Sequence, residues 1–278
     1  MSYAALEARQ QEIAHLEHAA SMLSWDEAVM MPTGGGDARA DAMATLAKVR
    51  HRLMTSRDTP LLLDAARAEL IDAWQAANVR EIERDYQRSQ ALPERLVAEL
   101  GRATVMCEQA WRKARARNDW QAVAAQLATV TALCREKAER LADLQGVTPY
   151  DALLATYQSG TSEAAITSLF AELRRALPPL IERRLACQRD DVVAPAGPFP
   201  VATQRRLSAV LMEKIGFDFA RGRLDSSHHP FCGGVPDDTR ITTRYDEADF
   251  LKGLMGTLHE TGHALYEQGC RLPIATSP

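Results

Sequence analysis

The sequence has no CxxC pair, and its five cysteines, Cys107, Cys134, Cys187, Cys232 and Cys270, are an odd number scattered along 278 residues. That argues against a disulfide framework and for a reducing compartment, so the expected setting is the cytoplasm and the cysteines are expected to be small buried hydrophobes. No stretch reaches the roughly 18 apolar residues that a spanning helix needs, and no membrane partner is expected. The segment Met1 to Gln10 lacks an apolar run, so no secretory signal is expected either. A basic excess is also missing. Lys+Arg number 33 against 37 Asp+Glu, a net charge of -4, and without a clustered cationic surface nucleic acid is not the expected partner. There is no fixed-period repeat and no low-complexity tract.

What remains is an ordinary soluble composition, 46% hydrophobic and 25% charged, on a chain long enough to bury a core without staples. Apolar residues recur at helical spacing from Ser2 to about Met30 (Leu6, Ile13, Leu16, Ala20, Leu23). Met31-Pro32-Thr33-Gly34-Gly35-Gly36 breaks that helix. Asp37 is the expected N-cap of the next, which runs to about Thr55. One helix is expected from Thr59-Pro60 toward Gln90, with Leu63, Ala66, Leu70, Trp74 and Ile82 facing inward. Others follow Pro93 and an Asn118-Asp119 cap, the last reaching Leu144. After the stop at Gly146 to Pro149, a short helix (Tyr150 to Tyr157) and a long one (Ser162 to Gln188) are expected, then a proline-rich loop to Pro200 and a helix from Thr203 to Ile215. The β-branched run Thr239 to Tyr245 reads as one or two short strands. The last helix is expected to start at an Asp246 cap and end at Gly269.

That helix carries His259-Glu260-Thr261-Gly262-His263. Histidines four apart share a helix face, so both imidazoles reach one cation, and neutral imidazole suits zinc. Glu260 is placed to take a proton from the attacking water and return it to the leaving amine. The competing reading is two ordinary surface histidines. A zinc peptidase needs a third protein ligand. Glu267 continues the same face but lies roughly 12 Å along the axis from His259, and Cys270 would have to fold back. The chain therefore offers a two-histidine half-site. Cobalt or manganese could occupy a mixed His/carboxylate site as well.

Three stretches in order, Ser227-His228-His229-Pro230-Phe231, then Asp238-Thr239-Arg240-Ile241-Thr242, then the HExxH residues, resemble the HPF, DxRxT and HExxH motifs of the carboxypeptidase Taq family of zinc metallocarboxypeptidases. Trp25-Asp26 with Met31-Pro32, and Pro149 to Leu154, add to the likeness, which covers essentially the whole chain. The resemblance implies a mainly α, elongated multi-helix metallopeptidase fold with a deep groove. Residues 1–278 would form the N-terminal part of one domain: helical 1–216, a short β/loop segment 217–245 just before the active-site helix, and that helix at 246–269. It implies a cytoplasmic, frequently homodimeric enzyme that releases C-terminal residues from peptides. His259 and His263 would bind zinc and Glu260 would be the general base, with the HPF and DxRxT segments shaping the groove.

Arg240 suits a substrate carboxylate, since guanidinium binds one with two parallel hydrogen bonds, but an Arg beside Asp238 on a strand is as readily a structural pair. His229 reads either as a substrate contact or as a packed, hydrogen-bonded histidine, and Trp25 and Asp26 as packing and capping residues. Family members continue beyond the equivalent of Pro278 into a helix with a glutamate ligand, and Leu272 to Pro278 resembles the loop that leads there. The chain alone is therefore expected to be inactive or impaired. The alternatives are an HExxH oligoendopeptidase and a non-catalytic interaction protein with a relic zinc site.

Overall fold

The computed structural model describes residues 2–69, 72–188 and 195–270. The chain divides into two units, one of residues 1–133 and 197–278 and a smaller one of residues 134–196. The larger begins with α1 (Tyr3–Val29), α2 (Gly36–Met54), α3 (Thr59–Glu69), α4 (Ala73–Ala91) and α5 (Glu94–Arg115), and α6 (Gln121–Gln145) carries the chain from the first unit into the second. One apolar core joins α1, α3 and α4 through Leu6, Leu62, Leu63, Ala66, Val79 and Ile82. Each of the larger of these side chains contributes about 1.5–3 kcal/mol by leaving water.

The expected 59–90 helix is two helices. Asp72 starts α4 afresh, its side chain accepting the Gln75 N–H at 2.8 Å, which fixes a new helical start that hydrophobic spacing does not reveal. Trp74 consequently falls in the exposed first turn rather than the core, and Leu70 lies outside the described residues. Asp37 is not the N-cap of α2. Gly35 is, and Asp37 occupies the first turn, where a carboxylate still complements the helix dipole. The break at Asn118-Asp119 holds: Asn118 has φ +51°, and Asp119 Oδ1 accepts the Ala122 N–H.

The smaller unit takes in the end of α6, then α7 (Pro149–Leu154) and α8 (Glu163–Ala186). Thr148 caps α7 and Ser162 caps α8, and Asp151 Oδ1 accepts the Glu163 N–H at 2.6 Å. The first part of the expected proline-rich loop, up to residue 194, lies outside the described residues, and the part from Pro195 to Pro200 is loop as expected.

The larger unit resumes with α9 (Val201–Lys214), β1 (Gly222–Ser226), β2 (Phe231–Val235), β3 (Asp238–Thr243) and α10 (Phe250–Gly269). Among the described residues there are three strands, not one or two, in the order β1-β3-β2. β1 runs parallel to β3, while β2 and β3 form an antiparallel hairpin with Val235 opposite Asp238. Gly234, at φ +104°, sits at that turn, and a Cβ there would meet the Asp238 carbonyl oxygen at 2.1 Å, so only glycine closes it. Alternation along β3 gives the sheet two faces. Ile241 joins Met212, Phe217 and Ala264 in a second core, and Thr243 Oγ1 donates to the Gly253 carbonyl on α10. Asp238 and Arg240 point the other way, toward α1. Helix α10 starts at Phe250, not Asp246: Asp249 caps it, accepting the Leu251 N–H, and Asp246 closes the preceding turn through the Ala248 N–H. No helix among the described residues is long and apolar enough to cross a membrane.

Candidate metal centre

Helix α10 rests on the sheet and α9 by a face of small and polar residues. Its buried residues are Gly253, Thr257, Glu260, Thr261, Ala264 and Gln268, small or polar and spaced at helical intervals. Leu251, Met255 and Tyr266 are 49%, 62% and 73% exposed. The small face permits close approach. A Cβ on Gly253 would come 3.1 Å from the Arg244 carbonyl oxygen, and one on Gly256 3.5 Å from Pro230. The buried hydroxyls are satisfied within the helix: Thr257 Oγ1 donates to the Gly253 carbonyl and Thr261 Oγ1 to the Thr257 carbonyl. Gln268 acts as a side-chain peptide group. It donates to the Asp218 carbonyl and accepts the Asp218 N–H, both at 3.0 Å, which ties the end of α10 to the loop before β1.

His259 and His263 lie on the opposite, exposed face. Their Nε2 atoms are 3.3 Å apart and their rings meet edge to face at 5.0 Å between centroids. Two nitrogens each about 2.05 Å from one tetrahedral cation stand about 3.3 Å from each other, so the imidazoles fit a shared metal ion. Glu260, between them in sequence, is buried at 9% exposure. Strand β2 packs against α10, and the thiol of Cys232 is pushed up to about 12 by its own burial and by the carboxylates of Glu260 and Glu267. Among the described residues no group of three or more His, Cys, Asp or Glu side chains could hold a metal. Glu267 and Cys270 do not join the histidines, and Cys270 ends α10. The Leu272 to Pro278 loop lies outside the described residues.

The two motif segments before α10 are joined by Thr242, the last residue of the DxRxT stretch. Thr242 Oγ1 accepts the Phe231 N–H at 3.1 Å, is bonded to Ser227 Oγ at 2.7 Å, and lies 3.4 Å from the His229 carbonyl. One hydroxyl thus holds the His229-Pro230-Phe231 turn against the DxRxT strand, and Pro230 then reaches Gly256 of α10. The His229 ring is exposed, so the packed-histidine reading does not hold. Its carbonyl does the structural work.

Arg240 grips Asp238 with two hydrogen bonds, of 2.5 and 2.8 Å, and holds its carboxyl below the usual range. Its guanidinium stacks 4.6 Å from the Trp25 ring centroid, with Arg223 at 5.1 Å. The pair lies on the face of β3 turned toward α1, away from α10. Trp25 packs as expected. Asp26 does not cap a helix with its carboxylate, which pairs with Arg39. The cysteines are all free; four are partly buried, and Cys187 is exposed rather than buried.

A family model described as the carboxypeptidase Taq (M32) metallopeptidase matches residues 5–278. Thermostable carboxypeptidase 1 of Thermus thermophilus is 42% identical over 279 residues, covering 94% of this chain and 54% of that protein. Carboxypeptidase 1 of Bacillus subtilis is 31% identical over 265 residues, covering 92% and 52%. Among solved structures, Trypanosoma cruzi metallocarboxypeptidase 1 superposes with a TM-score of 0.83 at 35% identity, covering 99% of this chain and 56% of that one. An M32 carboxypeptidase from Deinococcus radiodurans R1 gives 0.80 at 31% identity, covering 99% and 56%. The chain spans about half the length of the curated relatives it matches.

Proposed function

The chain belongs to the carboxypeptidase Taq (M32) metallopeptidase family, and on that premise we propose that α10 is the catalytic helix of a metal-dependent carboxypeptidase acting on peptides. The observation that carries this reading is the 3.3 Å separation of the two Nε2 atoms, the spacing of two ligands on one tetrahedral ion. His259 and His263 would hold the ion, with zinc the best match to imidazole. When bound, it supplies Lewis acidity toward the scissile carbonyl and acidifies water. Glu260, held by the buried turn of α10, accepts the proton of the attacking water on a carboxylate oxygen and returns it to the departing amine.

Two imidazoles are all that the described residues bring together, and a two-ligand site binds and orders a metal weakly. A site with only these two ligands would release peptide residues slowly or not at all. Arg240 is engaged by Asp238 on the other face of the sheet, which supports a positioning role rather than a substrate contact.

The test is release of the C-terminal residue from an N-blocked dipeptide by this chain at high concentration, with zinc, cobalt or manganese added. Expected is a slow, metal-dependent release that Glu260→Gln abolishes and that an amidated C-terminus prevents. Equal cleavage of the amidated peptide would point to an endopeptidase. Robust turnover by residues 1–278 would contradict the ligand count.

A further inference from the structure

Helix α1 ends in a corner. After Val29 the chain turns through Met30 to Gly35 and enters α2, which packs on α5. A Cβ on Gly36, the first residue of α2, would lie 3.4 Å from the Gln109 side chain of α5. Glu27 sits inside this corner and is only 6% exposed, a burial that glutamate rarely adopts unless it is paired. Among the described residues its carboxyl makes one hydrogen bond, accepting the Gln109 side-chain amide at 2.8 Å, and it joins no ion pair. At that burial there is little room for a further partner.

Two arginines carry charge toward it, and both are engaged elsewhere. Arg112 of α5 donates to the main-chain carbonyl of Glu27 and to the Glu108 carboxylate. Arg39 of α2 donates to the Leu23 carbonyl and pairs with Asp26. Each therefore holds a carbonyl near the end of α1 while its charge is balanced by another acid. The groups around Glu27 are Gln109, Glu108 and Arg112 from α5, Arg39 from α2, and Asp26 beside it on α1. A buried carboxylate met by one neutral amide is poorly solvated, which disfavours its charged form. Burial pushes the Glu27 carboxyl above its ordinary range, against the pull of the Gln109 hydrogen bond, and the nearby Glu108 adds to the push.

We propose that Glu27 is a proton-operated switch at the corner between α1 and α2. With the proton in place the carboxyl is neutral, and both arginines stay on the carbonyls of α1. When the proton leaves to solvent, the new carboxylate needs a cation. Arg112, which already reaches the main chain of the same residue, turns from the Glu27 carbonyl to the Glu27 carboxylate. That uncaps the end of α1 and loosens the corner. The folded protein holds this proton more tightly than the unfolded chain does. Its contribution to stability is therefore complete below the ordinary value of 4.5 and is lost as pH rises through the folded one. The device lies in α1, α2 and α5 and does not depend on the catalytic reading.

The test follows the Glu27 side-chain carboxyl carbon by NMR in chain labelled with carbon-13 glutamate, from pH 4 to 9. The signal is assigned through its own backbone amide, so this part needs no variant. It should titrate at higher pH than the exposed glutamates. Amide exchange in Asp26 to Met30, corrected for the intrinsic rise of exchange with pH, should quicken over the same interval and should not do so in Glu27→Gln. That variant has the shape of the protonated acid and no charge. Its urea midpoint should match the unsubstituted protein near pH 4 and exceed it at pH 8, a tenfold difference in proton affinity appearing as a tenfold difference in the folding equilibrium. The proposal is overturned if Glu27 titrates with the exposed glutamates, if its titration leaves exchange at the end of α1 unchanged, or if the two midpoints coincide at pH 8.

Discussion

Arg240 lies 4.6 Å from the centroid of the Trp25 ring, on the side of the sheet away from the helix that carries Glu260. A guanidinium that clamps Asp238 and stacks on an indole at once fastens α1 to β3. Arg240→Ala should destabilise the fold by about 1–3 kcal/mol, the loss of a partly exposed pair with a cation–π contact, and so lower the urea midpoint. Zinc affinity should stay where it was. A loss of zinc binding comparable to that of His263→Ala would show that the two faces are coupled.

The closeness of α10 to its support makes two glycines behave differently. A methyl on Gly253 would press on the Arg244 carbonyl at 3.1 Å, whereas on Gly256 it would meet Pro230 at an ordinary 3.5 Å. Gly256→Ala should be neutral or stabilising by up to about 1 kcal/mol from helix propensity. Gly253→Ala should be destabilising by about 1–3 kcal/mol from overpacking. Urea unfolding of both variants checks the order, and the reverse order would mean that another face of α10 is buried.

The helix face shared by His259 and His263 is legible in the sequence, and the reason is local. The four-residue spacing of His259 and His263 fixes a shared helix face wherever the helix goes, and the Asn118-Asp119 cap is a local signal too. The packing face of α10 was not readable. Its leucines and methionine suggest the core side, yet a helix with apolar residues over much of its circumference gives no preferred direction, and Gly253, Thr257, Thr261 and Ala264 allow the closer contact. Strand β1, Gly-Arg-Leu-Asp-Ser, has no β-branched residue and exists because it pairs with β3. Thr242 and Gln268 matter through partners distant in sequence, which no periodicity reports. The face that Arg240 occupies is not legible in the sequence because strand alternation decides it only once β3 is seated against α10.

Acid should loosen the helical end of the larger unit. Arg9 donates to both Asp58 carboxylate oxygens, at 3.3 and 2.9 Å, and with Ser56 it lowers the Asp58 carboxyl from 3.8 to about 2. A carboxyl with a depressed folded-state pKa contributes stability above its unfolded value, and that contribution is lost as pH falls through the folded one. Asp58→Asn should therefore reduce the melting temperature near neutral pH. The gap to the unsubstituted protein should narrow from about pH 4 downward and close near pH 2. A gap that persists unchanged at pH 2 would mean that the ion pair is not its source.

The cysteines should separate by reactivity. Cys187 is exposed, while Cys232 is pushed up to about 12 by burial and by the carboxylates of Glu260 and Glu267. Only thiolates attack alkylating agents. Iodoacetamide at about pH 8 should label Cys187 quickly and leave Cys232 unmodified until the protein unfolds, as followed by peptide mass spectrometry. Fast labelling of Cys232 in the folded protein would place it away from the two glutamates.

Zinc titration bears most directly on the central claim, that His259 and His263 together hold the metal ion. Calorimetry is run on the metal-free chain and on its Glu260→Gln, His259→Ala and His263→Ala variants. One weak, saturable site is expected, of similar affinity in the unsubstituted chain and in Glu260→Gln, and at least roughly tenfold weaker in either histidine variant. Equal zinc binding by all four proteins, or none by the unsubstituted chain, would contradict it.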